Sequence, residues 1–146
     1  MVAPDGPGGL GDNPQAGFET SLADYQGLYR LVLSAYGYRC ALTGERFLPE
    51  GGLIHPHLEA VAIRPRDTGG PLTITNYLAV EENAGRAFRA GHIVIADDFR
   101  ILLPQPHRLQ PALTRRLGER LFLPAEEMFW PAKEHLGFHR RLVQRG

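Results

Sequence analysis

Two histidines with one proline between them are the most suggestive metal-binding pair in the sequence. His55 and His57 lie two residues apart, so in a strand both imidazoles would project from one face and could approach the same ion. Pro56 disfavours a regular strand, because proline cannot donate a ladder hydrogen bond. No further ligand with paired spacing accompanies them. The pattern therefore favours two surface histidines in a loop insertion, with a metal site as the alternative.

The other reactive side chains stand alone. The single cysteine, Cys40, excludes an internal disulfide and a multi-cysteine zinc cluster, and its apolar neighbours predict a small core residue. Glu81 and Glu82 directly precede a predicted helix, where acids interact favourably with the positive end of the helix dipole. His92 is expected on the surface of a hairpin, and His107 lies in a proline-rich linker. None of these residues predicts a catalytic cluster.

The elements that would position such residues belong to the α+β class. The predicted order is a helix, two strands, a short helix, a β-hairpin and C-terminal helices. An N-cap at Ser21 and the terminating Gly37 delimit the first helix. The other predicted elements are extended pieces at Tyr38–Leu42 and Leu58–Ile63, a segment Asn76–Val80 before the short helix Glu82–Ala90, and a hairpin of His92–Ala96 with Phe99–Leu103.

Composition indicates one domain with a tail. Residues 1–18 are rich in glycine and proline and predict a flexible segment, whereas residues 19–146 predict a folded domain. No apolar run reaches the roughly 20 residues that span a bilayer, so we expect a cytoplasmic protein without a membrane partner. Sixteen basic side chains balance sixteen acidic ones, but residues 61–146 carry a surplus of four positive charges. This distribution permits DNA binding without demonstrating it.

Five segments carry a resemblance to a known family. In chain order they read YGYRCALTG (36–44), LEAVAIRP (58–65), NYLAV (76–80), RAFRAGHIVI (86–95) and HLGFHR (135–140). They resemble the motifs of bacterial restriction-type HNH endonucleases, and the resemblance covers roughly residues 22–146. It implies a ββα core and cleavage of phosphodiester bonds with one metal ion.

Both histidines of the family signature are replaced in this sequence. The resemblance implies that the first histidine, the general base, would stand at position 62, where the chain has Ala62. The second, a metal ligand, would stand at position 85, where the chain has Gly85. Only the central asparagine remains, as Asn76. Neither a methyl group nor a bare backbone can accept a proton or coordinate an ion, so we expect no useful cleavage and no cofactor.

The remaining residues of the motifs predict roles in structure or binding. We expect Asn76 to hydrogen-bond backbone groups in a turn. The resemblance also implies that Arg64, Arg66, Arg86 and Arg89 surround the former active site, where arginines would meet DNA phosphates. A solvated, partly neutralised surface is the alternative interpretation of these four.

Three functions follow from these patterns. The first is a degenerate HNH-like domain retained for DNA binding or regulation. The second is an active nuclease with a displaced metal site, for instance at His55 and His57, which would need a divalent metal. The third is a protein–protein or homo-oligomer module that does not bind DNA. The near-neutral charge favours the third, but the family resemblance favours the first, which is narrowly preferred. The fold alone does not decide between them, because function depends on the site.

Overall fold

The computed structural model describes residues 22–49, 52 and 54–145. These residues form α-helices and short antiparallel strand pairs, which confirms the α+β class. The four α-helices of the described part are α1 (Leu22–Ala35), α2 (Glu82–Arg89), α3 (Pro111–Arg116) and α4 (Lys133–Arg145). The strands are β1 (Leu58–Ala62), β2 (Tyr77–Glu81), β3 (Val94–Ile95) and β4 (Ile101–Leu102). The tail predicted over residues 1–18 and the N-cap predicted at Ser21 lie outside the described residues.

Helix α1 ends where the sequence predicts. Gly37 has a φ of 64°, in the left-handed region that glycine adopts at little cost, and the Tyr38 N–H donates to the Leu33 carbonyl at 2.9 Å. The buried face of α1 packs on the β1–β2 pair through two tyrosines. The Tyr29 hydroxyl donates to a β1 carbonyl and the Tyr36 hydroxyl to a β2 carbonyl. Burial raises the pKa of both phenols, so they remain hydrogen-bond donors.

Strands β1 and β2 form the centre of the fold. They pair antiparallel from Leu58 opposite Glu81 to Ala62 opposite Tyr77, and every residue of β2 is buried. Helix α2 follows β2 without a loop and packs on both strands. The Glu81 carboxylate accepts hydrogen bonds from the first free N–H groups of α2, which confirms the role at a helix N-terminus predicted for this residue.

The second hairpin is present but shorter than the sequence predicted. Strands β3 and β4 pair over two residues each, with the turn between them. The prediction of an extended segment at Tyr38–Leu42 is wrong over most of its length. Only Arg39 makes a bridge, with Arg46, because the chain turns tightly at residues 41–43 and buries the Cys40 thiol in the core.

Helix α4 packs against β3. Its inward face includes Leu136 and His139, both buried. In the described part of the chain, no helix combines the length and the apolar character needed to cross a membrane.

Candidate nucleic-acid interface

Ala62 and Asn76 lie at one end of the β1–β2 pair. Ala62 is the last residue of β1, is partly exposed, and presents only a methyl group. Asn76 is fully buried, and its side chain joins the two ends of the loop between the strands. Its Oδ1 accepts from the Arg64 N–H at 2.8 Å, and its Nδ2 donates to the carbonyls of Arg64 and Pro71 at 3.0 and 3.2 Å. The structural role predicted for Asn76 is therefore observed.

Gly85 lies where α2 comes closest to β1 and β2. A Cβ atom at this position would stand 2.8 Å from Val80 Cγ2 and 3.0 Å from Glu59 Oε1. The same Oε1 accepts a hydrogen bond from the Arg89 guanidinium, so an ion pair bridges β1 and α2 directly beside the glycine. A longer side chain at position 85 would have to displace this pair or the valine. Side chains of Val80 and Glu59 therefore already fill the space beside Gly85.

His55 is not the surface residue that the sequence predicted. It is only 6% exposed, and both of its ring nitrogens are used within the fold. Nδ1 accepts from the N–H groups of His57 and Leu58 at 3.0 and 3.2 Å, and Nε2 lies 2.9 Å from the Leu48 carbonyl. The prediction of a surface position was wrong because His55 is buried by tertiary contacts, such as that with the Tyr38 ring, which the neighbouring sequence does not reveal.

His57 is exposed, as predicted, and its ring stacks on Phe47. The two imidazoles therefore do not converge on a shared open site, since His55 has no nitrogen left for an ion. In the described residues no group of three or more His, Cys, Asp or Glu side chains is arranged to hold a metal ion. The donor set that is present does not fit a catalytic metal.

Two of the four arginines predicted to contact phosphate make local contacts within the fold. The Arg64 guanidinium donates twice to the Thr68 carbonyl and lies 4.3 Å above the Phe138 ring, which fixes the loop after β1. Arg86 projects from the exposed face of α2 and pairs with Glu82 one turn earlier, at 3.2 Å. Neither side chain lines the large cleft described next.

The other two, Arg66 and Arg89, lie on the walls of a cleft of about 1140 Å³ between the end of β1, the C-terminal end of α2 and α4. Arg108 and Arg140 complete a set of four arginines along it, and we call this feature the arginine cleft. Its remaining walls are mainly apolar side chains with two histidines and two glutamines. None of its lining residues, all within the described part of the chain, is an aspartate or a glutamate.

Sequence reasoning did not assign Arg108 or Arg140 to the site. Arg140 ends the fifth motif, so its motif position was a usable signal, but nothing in the sequence distinguished Arg108 from other loop arginines. The Arg140 guanidinium donates to the Ile95 carbonyl at 2.6 Å and to Asp97 Oδ1 at 2.8 Å. The Arg108 guanidinium makes no ion pair with the residues that the structure describes.

His139 forms part of the floor of the arginine cleft. Its ring stacks on Phe88 with the ring centres 4.2 Å apart and the planes 12° from parallel, and it is 5% exposed. Burial lowers the pKa of His139 to about 4, an effect that its contact with the Phe88 backbone partly opposes and the neighbouring Arg140 charge reinforces. The imidazole is therefore neutral near pH 7, and the positive charge of the cleft comes from its arginines.

Comparison with known proteins identifies the fold alone. The sequence matches no protein-family model and no curated protein. Among solved structures, the chain is similar to a modification-dependent TagI restriction endonuclease, with a TM-score of 0.57 and 23% sequence identity. The similarity covers 80% of this chain but 37% of that protein. The fold is therefore similar to that of part of a restriction endonuclease, and the chain spans little more than a third of that protein's length.

Proposed function

We propose that this chain is a degenerate HNH-endonuclease-like domain that binds the phosphate backbone of DNA in the arginine cleft without cutting it. The observation that carries the proposal is the charge of that cleft. The chain as a whole is neutral, yet the described residues that line this surface include four arginines and no carboxylate. Phosphate contacts of this kind position a protein on nucleic acid without reading its sequence.

The architecture supports the family part of the proposal. An antiparallel strand pair is followed directly by a helix that packs on both strands, which is the order of a ββα core. The five sequence motifs lie in and around this unit, and a solved structure that is similar to this chain is a restriction endonuclease by name. In this interpretation Ala62 and Gly85 stand where the two catalytic histidines would be.

The packing around these positions supports the loss of catalysis. Ala62 has no group that could take a proton from an attacking water, and general-base assistance is worth about 10²–10⁴-fold in rate. Beside Gly85, the Glu59–Arg89 pair fills the space that a ligand side chain would need. The Glu59–Arg89 pair is neutral overall, so it leaves no uncompensated negative charge there to attract a metal ion.

The proposal is tested by measuring the binding of a short labelled DNA duplex at salt concentrations from about 50 to 200 mM. The expected result is salt-sensitive binding, whose slope of log affinity against log salt is about −0.9 for each phosphate neutralised. Arg108→Gln should weaken binding and reduce this slope by about 0.9. Arg30→Gln is the matched control, since it removes the same charge from α1, away from the cleft.

Three results would contradict the proposal in different ways. Absence of duplex binding at low salt, together with a stable complex or homodimer, would favour a protein–protein module. Cleavage of plasmid DNA with Mg²⁺, Mn²⁺ or Ni²⁺ that a chelator abolishes would show an active nuclease with a displaced metal site. Equal effects of Arg108→Gln and Arg30→Gln would place the bound DNA outside the arginine cleft.

A further inference from the structure

Arg89 and Arg140, which line the arginine cleft, are each held by a carboxylate that lies outside it. Arg89 pairs with Glu59 of β1, and Arg140 pairs with Asp97 in the β3–β4 turn. Neither acid is among the residues that line the cleft. Each arginine therefore borders the surface where a phosphate would lie, whereas its carboxylate partner does not.

From this arrangement we propose that Asp97 competes with DNA phosphate for Arg140 and so limits the affinity of the arginine cleft; this inference rests on the proposed function. The competition is direct, because both groups are oxyanions that seek the same N–H donors. One Arg140 N–H donates to the Ile95 carbonyl at 2.6 Å, and the NH2 group donates to Asp97 Oδ1 at 2.8 Å. Asp97 therefore offsets the charge of Arg140 and holds its guanidinium in place, and a phosphate oxygen must compete with both effects.

The exposure of the pair sets the size of the effect. The Asp97 side chain is 61% exposed and that of Arg140 is 31% exposed, so water and salt screen their attraction. Exposed ion pairs contribute about 0.2–1 kcal/mol, which limits the expected gain in affinity on removing Asp97 to roughly fivefold. Removing the charge of Asp97 also leaves the charge of Arg140 without a partner in this turn, so that it can neutralise a phosphate.

Asp97→Asn and Asp98→Asn form a matched pair for the test. Both remove one negative charge from the same turn, so their long-range effect on DNA should be nearly equal. The Asp98 carboxylate accepts from the Arg100 N–H, a contact that asparagine preserves, and it makes no ion pair with a cleft arginine. A difference between the two variants therefore reports the contact with Arg140 rather than net charge.

Duplex binding is measured for the full chain and both variants over the same salt series. We expect Asp97→Asn to bind roughly two- to fivefold more tightly than Asp98→Asn, and its salt slope to be steeper by about 0.9. Equal affinities and slopes for the two variants would overturn the role of Asp97 while leaving the proposed function intact. Failure of the unaltered chain to bind duplex would instead refute the proposed function itself.

Discussion

Protonation of His139 should destabilise this fold as the pH falls. The buried ring has a folded-state pKa of about 4, whereas an exposed histidine in the unfolded chain has a pKa of about 6.5. Below about pH 6.5 the unfolded chain therefore binds a proton that the folded chain excludes. The stability associated with neutral His139 is complete above this pH and is lost progressively as the pH falls toward about 4.

The magnitude follows from the difference between these two pKa values. Each pKa unit corresponds to about 1.4 kcal/mol, so complete protonation would cost about 3 kcal/mol. Between about pH 7.5 and pH 5 the expected loss is about 2 kcal/mol. This is a large part of the stability of a small domain, which is typically about 5–15 kcal/mol.

Urea denaturation at several pH values measures this loss. His139→Phe is the informative variant, because a phenyl ring can retain the stack on Phe88 but cannot titrate. The free energy of unfolding of the original chain should fall by about 2 kcal/mol more than that of the variant over the same pH range. Other acidic groups titrate in both proteins and cancel in the comparison. Parallel pH profiles would show that His139 is accessible to protons in the folded state and would refute the reasoning.

Three further substitutions test the packing around the site by chemical denaturation. Gly85→His should destabilise the fold by about 1–3 kcal/mol, because its Cβ would stand 2.8 Å from Val80 Cγ2; an unchanged midpoint would mean that α2 can shift. Asn76→Ala should lower the free energy of unfolding by at least about 2 kcal/mol, since it leaves the backbone N–H and carbonyl of Arg64 without their partners. A loss smaller than about 1 kcal/mol would contradict the role of Asn76 in holding the loop. Gly27→Ala should stabilise the exposed middle of α1 by about 0.5–1 kcal/mol, because nothing lies near the added methyl; destabilisation would be the contrary result.

Much of the secondary structure was predictable because its signals are local. The terminating glycine of α1, the acidic cap of α2 and the turn between β3 and β4 each depend on the conformational preferences of a few neighbouring residues. The segment Tyr38–Leu42 was the exception. Its apolar residues suggested a strand, but they are buried because the chain turns there and inserts Cys40 into the core.

The candidate site was predictable only in part. The family resemblance predicted that Arg66 and Arg89 lie close together, and both line the arginine cleft. It did not reveal that Arg64 turns inward onto Phe138, because that ring is contributed by α4 from the far end of the chain. It also missed that His55 is enclosed, since its environment is set by packing across the loop.

The sequence by itself determined that positions 62 and 85 offer no side chain able to accept a proton or hold a metal, because alanine and glycine lack such groups whatever the fold. Only the tertiary structure decided which charges remain available to a partner. Each arginine can pair with several carboxylates, and the choice depends on which side chains packing brings within about 3 Å. Glu59 with Arg89 and Asp97 with Arg140 are such choices, made between residues 30 and 43 positions apart.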